Sequence, residues 1–170
     1  FFWFILFSLK RVEQIENFDF EKSMMNTLIT KYLCDNNIKG AEHLKDNIAD
    51  MIQDGPHSKA NAVLLYSLKG GVGKGALIDL LKKILGENNV LVFENPDAFF
   101  DIFNEDTAGS ILIVIEEPKD GGSTRVKSGR IKAEIAKTKA RINEKFKNIK
   151  KVRFYARFWF LTNELNSVFI

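Results

Sequence analysis

The chain of 170 residues is 45% apolar and 28% charged, the composition of one folded globular domain and not of a disordered or collagen-like chain. One cysteine, Cys34, and two histidines, His43 and His57, exclude an internal disulfide framework and a zinc cluster. The net charge of +3 conceals an asymmetry: residues 120–160 hold thirteen Lys and Arg against three acids, a net of +10, while the remainder nets −7.

In chain order, the longest apolar run is residues 1–9 (FFWFILFSL), which stops at Lys10 and Arg11. It falls short of the roughly 18–20 residues of a spanning helix, and it lacks a signal peptide's basic lead and small-residue cleavage site. Because the first residue is Phe and not Met, a fragment is expected, with this run packing against a part beyond it. Residues 10–60 read as helical. Within 21–34 the apolar Met24, Met25, Leu28, Ile29, Tyr32 and Leu33 recur at the three-and-four spacing of one buried face. Asp35-Asn36-Asn37 reads as a turn, and 41–52 repeats the pattern with Leu44, Ile48, Met51 and Ile52 until Asp54-Gly55-Pro56 breaks it. Cys34 belongs to this core stripe.

The pattern changes at Ala62. Residues 62–66 (AVLLY) are a short apolar run, as expected of a strand buried on both faces of a parallel sheet. A glycine-rich loop, Lys69 to Gly75, leads into a helix over 76–85 closed by Gly86. Residues 90–93 form a second buried strand, 96–103 a short helix and 111–115 a third strand ending in Glu116-Glu117-Pro118. Residues 120–128 read as a loop, 131–146 as a basic helix, and 154–161 as a fourth strand ending in Thr162-Asn163-Glu164. The expected fold is α/β: a helical segment over 1–60, then a core over 61–170 with a parallel sheet of at least four strands flanked by helices.

Three strand ends carry the candidate chemistry. The loop Lys69-Gly70-Gly71-Val72-Gly73-Lys74-Gly75, with Ala76 opening the helix, is a phosphate cradle. Successive N–H groups and the positive helix end face the anion, and glycine lets the backbone approach it. Lys74 reaches the β- and γ-phosphates. The position five before Gly73 is Leu68, not Gly, and Gly75 stands where a Mg²⁺-binding hydroxyl is the rule. Glu116 is the candidate Mg²⁺ ligand, and Glu117 the carboxylate that orients and deprotonates the attacking water. Asn163 hydrogen-bonds the γ-phosphate and that water. The competing reading is a ligand-free glycine turn and strands that merely end in polar residues. The basic stretch reads as a polyanion-binding region or as a solvated helix face. Phe146 and Phe154 lie among its cations, where burial is favoured over stacking on bases.

The sequence Gly71-Val72-Gly73-Lys74, the strand ending Glu116-Glu117, a basic segment and Ala156-Arg157-Phe158-Trp159-Phe160-Leu161-Thr162-Asn163-Glu164 follow the motif order of superfamily 3 helicases. They resemble above all the primase-helicases of phages and large DNA viruses. That resemblance implies a P-loop NTPase of AAA+-like fold and an ATP- and Mg²⁺-dependent motor on single-stranded DNA, assembled as a hexameric ring. It is compatible with an accompanying primase and with a site in the host cytoplasm or at viral replication. It also implies that Lys132, Lys137, Lys139, Arg141, Lys145 and Lys147 contact the strand in the ring's pore, without reading its sequence. The family's arginine finger is expected beyond Ile170. Two rivals remain. The string from Lys69 to Lys74 also resembles the deviant Walker A loop of partition- and Min-type ATPases, which expects Thr at Gly75 and Asp where Glu94-Asn95 stand. A degenerate fold that binds ATP without turnover is the other.

Overall fold

Residues 19–53, 62–94, 96–101, 107, 109–116, 124–142 and 150–163 are described by a computed structural model of the chain. Four apolar runs become one parallel sheet: β1 (Ala62–Tyr66), β2 (Val90–Phe93), β3 (Leu112–Glu116) and β6 (Arg157–Thr162), in the order β1-β6-β3-β2. The two central strands are the most deeply buried, and Leu112 to Ile115 and Phe158 to Phe160 are at most 1% exposed. Each such side chain contributes about 1.5–3 kcal/mol by leaving water. On the edge strand β1 the alternate residue Leu64 is 41% exposed, because nothing described covers it there.

The strand order dictates the layers. From β1 the chain crosses to the far edge through α3 (Lys74–Leu85), then returns through α4 (Pro96–Asp101) to β3 and through α5 (Thr124–Ile135) to β6. Right-handed crossovers in opposite directions put their helices on opposite faces. Accordingly Leu77, Ile78, Leu81 and Leu85 of α3 pack with Leu112, Val114, Trp159 and Leu161. On the other face Phe99 of α4 and Ile131 and Ile135 of α5 meet Ile113, Ile115, Phe158 and Phe160.

The helical lead-in joins the α3 face. Ser23 accepts the Asn26 N–H at 3.1 Å and caps α1 (Met24–Thr27), which continues as a π-helical turn, Leu28–Leu33. Asp35 and Asn36 take positive φ of 47° and 60°, a conformation that Asp and Asn tolerate best among non-glycine residues. Asn37 then caps α2 (Ile38–Gln53), whose Ala41, Leu44, Ile48 and Met51 are buried at helical spacing. Two polar ties lock α2 to β6. Arg157, 1% exposed, donates to the Asp50 carboxylate at 2.6 and 3.2 Å, and the Trp159 indole N–H donates to Asn47 at 3.1 Å.

The basic segment departs from its sequence reading. Helix α5 begins inside the expected loop and stops at Ile135; residues 139–142, expected to be helical, form β4 (Lys139–Ile142), paired antiparallel with β5 (Lys150–Arg153). Ile131 and Ile135 bury a four-residue helical spacing, whereas Ala140 and Ile142 alternate with Lys139 and Arg141 at the period of a strand. The long basic side chains masked that change. The last strand starts at Arg157, three residues later than expected, because the Phe154 N–H turns to the Thr138 carbonyl at 2.9 Å. Helix α4 is described over Pro96–Asp101, and the last two residues of its expected span lie outside the described residues; α3 starts two residues early, so Lys74 and Gly75 lie in its first turn. Residues 1–18, 54–61 and 143–149 lie outside the described residues, and with them part of the expected helical segment.

Candidate functional site

The chain leaving β1 turns to the α3 face, while α5, which follows β3, lies on the opposite face; β6 ends between the two. In an open α/β sheet, that divergence at the carboxyl ends of the strands opens a crevice. The loop from Ser67 to Gly73 forms one wall. Gly71 and Gly73 have φ of 76° and 98°, so these two positions require glycine. Gly73 is the N-cap of α3 and gives it no side-chain cap, which leaves the first N–H groups of the helix to another acceptor. At Gly70, Gly71 and Gly75 an added Cβ would meet nothing within 4 Å, and Lys69 to Gly71, Gly75 and Ala76 are exposed while Val72 is half-buried.

Lys74 bridges the loop to the tip of β6. Its ammonium donates to the Thr162 carbonyl at 2.7 Å and to Asn163 Oδ1 at 2.6 Å. The same carbonyl accepts the Ser67 N–H at 3.2 Å, so loop and strand tip share a buried anchor. The structure thus brings Lys74 and Asn163 together. Glu116 pairs in register with Leu161, and with Leu112 and Val114 it shares the α3 side of β3. It therefore lies at the same sheet edge and on the same side as Lys74. Glu117 lies outside the described residues.

One contact had no signal in the sequence. Leu28, from the π-helical turn, lies where a Cβ on Gly73 would be 2.6 Å from its Cδ1. The lead-in helix therefore rests on the loop where it enters α3. Cys34 is half-buried against the same core, and burial pushes its thiol pKa up, away from a nucleophile's role.

The basic residues divide. Lys132 on α5 and Lys139 on β4 are exposed, and Arg141 lies on β4. Lys137 is drawn inward, 2.8 Å from Glu134 and 5.7 Å above the ring of the buried Phe154. Arg157 is committed to Asp50. Lys145, Lys147 and Phe146 lie outside the described residues. No helix among the described residues is long and apolar enough to cross a membrane.

A family of unknown function (DUF5906) matches residues 65–168. No curated protein matches the chain. Among solved structures, the apo structure of the NrS-1 C-terminal region (305–718) is 24% identical with a TM-score of 0.73, over 87% of this chain and 35% of that one. Two A-form apo structures of the same region are 21% and 24% identical, with TM-scores of 0.67 and 0.68, over 82% and 87% of this chain and 33% and 34% of theirs. The chain spans about a third of the length of these solved chains, and the likeness is one of fold.

Proposed function

The chain belongs to the DUF5906 family, and from that premise we propose that it is the ATP-hydrolysing core of a superfamily 3-type replicative helicase. In this reading it translocates on single-stranded DNA as a homo-hexameric ring within a phage or viral primase-helicase. The observation that carries the reading is the 2.6 Å bond between Lys74 and Asn163, residues 89 positions apart in the chain. It unites the first and last of the motifs at the sheet edge where β3 ends in Glu116.

The residues present suit the ligand. The open space at Gly70, Gly71 and Gly75 and the uncapped start of α3 suit a phosphate chain, whose charge complements the helix dipole. Among the described residues there is no group of three or more acidic, His or Cys ligands. Mg²⁺ in nucleotide sites needs only one or two carboxylates beside water and phosphates, so Glu116 suffices. The ion, when bound, neutralises charge on the transferring phosphoryl oxygens.

The chain's own groups have distinct roles. Lys74 turns its ammonium to the β- and γ-phosphate oxygens. Asn163 presents an oxygen to that ammonium, so its amide N–H groups point away from Lys74, toward the γ-phosphate and the attacking water. Glu117 takes the water's proton as the new bond to the γ-phosphorus forms and the bond to the β-phosphate oxygen breaks. Lys132, Lys139 and Arg141, beyond β3, grip the strand through its phosphates.

Gly75 favours a second reading, a fold that keeps ATP as a structural ligand, since it leaves no hydroxyl for the metal. ATP turnover with and without single-stranded DNA, for the parent chain and Lys74→Ala, separates the two. DNA-stimulated hydrolysis abolished by Lys74→Ala supports the motor. Nucleotide binding with no turnover supports the degenerate fold, and absence of binding overturns both.

A further inference from the structure

The phosphate loop is rich in residues with little to hold them in one shape. Four of the six residues from Gly70 to Gly75 are glycine, and glycine gives up more conformational freedom on ordering than any other residue. A ligand that has to order such a loop loses affinity by doing so, unless something orders the loop first. Gly73 is the point where that matters most. At φ 98° it turns the chain into α3, its carbonyl accepts the Leu77 N–H at 3.0 Å, and Lys74 follows it. Leu28 stands directly against it, with Cδ1 2.6 Å from where a Cβ would be. Leu28 opens the π-helical turn Leu28–Leu33, in which the Cys34 N–H bonds the Ile29 carbonyl, five residues back, at 3.0 Å. Turns of this kind are rare overall and recur at functional sites. This one is held from behind. Asn26, 9% exposed, donates to the Glu21 carbonyl and carboxylate at 2.9 and 3.0 Å and accepts from Thr30 and from Lys45 of α2 at 3.1 and 3.2 Å. Through Asn47 and Asp50 the same α2 is tied to β6, whose tip holds Lys74. Lys74 is therefore braced on two sides from one helical unit, the strand tip through α2 and the loop through Leu28.

We propose that Leu28 is a positioning residue for nucleotide binding: it fixes Gly73, so that the loop and the first turn of α3 hold one shape before a phosphate arrives. The role rests on the phosphate-binding reading of the loop and deepens it, since it gives the helical lead-in a part in that site. Leu28 does this by filling space beside a glycine that has no side chain of its own, and it makes no contact with the nucleotide. The loop's N–H groups hold the phosphates in the ground and transition states alike. Loss of the brace therefore raises KM and leaves kcat in place.

The test compares Leu28→Ala, Leu28→Met and Ile29→Val in their binding of a hydrolysis-resistant ATP analogue with Mg²⁺, and of tripolyphosphate as its competitor. Leu28→Ala is expected to weaken both ligands about threefold to thirtyfold, the range of coupling that a packed contact carries. Leu28→Met, which keeps the volume, restores most of that affinity. Ile29→Val is the control. Ile29 is fully buried in the core next to Leu28, so its truncation lowers the melting temperature yet leaves both affinities unchanged. Equal binding by the parent and Leu28→Ala overturns the proposal. So do affinity losses that follow the melting temperature across all three variants, and so does loss of the ATP analogue alone, which makes Leu28 a base contact instead. A parent that binds neither ligand ends the phosphate reading itself, and the brace with it. A chain that never hydrolyses ATP, but in which Leu28→Ala weakens both ligands, loses the motor and keeps the brace.

Discussion

The Lys74 ammonium and the Asn163 side-chain oxygen lie 2.6 Å apart, and this bond fixes which way the amide faces. An ammonium only donates, so the acceptor end of Asn163 must meet it and the donor end must point elsewhere. Under the proposed function the Asn163 oxygen serves the lysine and its N–H groups serve the reacting phosphate, so its effects on binding and on turnover are separable. Asn163→Ala is therefore expected to lower kcat about 10²-fold, as loss of a transition-state donor does. Nucleotide affinity should hold or rise, because Lys74 loses a competing acceptor. Steady-state turnover beside equilibrium titration of an ATP analogue reads the split; a parallel loss of affinity speaks against it.

Gly75 invites repair. It lies in the first turn of α3, and an added Cβ would meet nothing within 4 Å. Gly75→Ser supplies the missing hydroxyl without a clash and improves helix propensity by about 0.5 kcal/mol. The expected result is a lower Mg²⁺ concentration at half-maximal turnover and a slightly higher melting temperature. A Mg²⁺ titration of ATP turnover checks the first and thermal unfolding the second.

Gly73 resists substitution for two reasons that can be measured apart. Its φ of 98° is strained for any L residue, by about 1–2 kcal/mol. A Cβ there would also come within 2.6 Å of Leu28 Cδ1. Gly73→Ala should destabilise the chain by both, and adding Leu28→Ala should recover only the steric part. Denaturant unfolding of the two single variants and the double variant gives that coupling.

The tie between α2 and β6 is asymmetric. Arg157 is 1% exposed, while the Asp50 side chain is 30% exposed. Asp50→Ala takes a carboxylate from a buried guanidinium and is expected to cost about 3 kcal/mol. Arg157→Met costs less, since water can reach the Asp50 carboxylate and the methionine fills the space. Midpoints of chemical denaturation rank the two, and the reverse order would contradict this account.

The sheet was legible because its strands are short, nearly continuous apolar runs, the two central ones buried on both sides. Residues 62–66, 90–93 and 111–115 are short apolar runs bounded by glycine and polar residues, too short for helices, and each has a strand within a residue of its expected bounds. The glycine loop was equally plain, because positive φ at Gly71 and Gly73 leaves few other choices of residue. The hairpin was hidden, since Lys and Arg suit a helix as readily as a solvated strand and only Ala140 and Ile142 mark the alternation. Arg157 counted only as one of the thirteen cations of residues 120–160, because its partner Asp50 lies 107 positions away. The contact of Leu28 with Gly73 likewise depends on how the lead-in helix folds back, which no local pattern encodes.

The most direct test is calorimetric titration of the chain and of Lys74→Ala with a hydrolysis-resistant ATP analogue and Mg²⁺. If the loop, the lysine and the strand tips enclose one triphosphate, the parent binds one molecule per chain. Lys74→Ala then weakens binding by about tenfold to a hundredfold, the worth of one or two charge-assisted hydrogen bonds, with its circular dichroism unchanged. Equal binding by the variant, or none by the parent, contradicts the account.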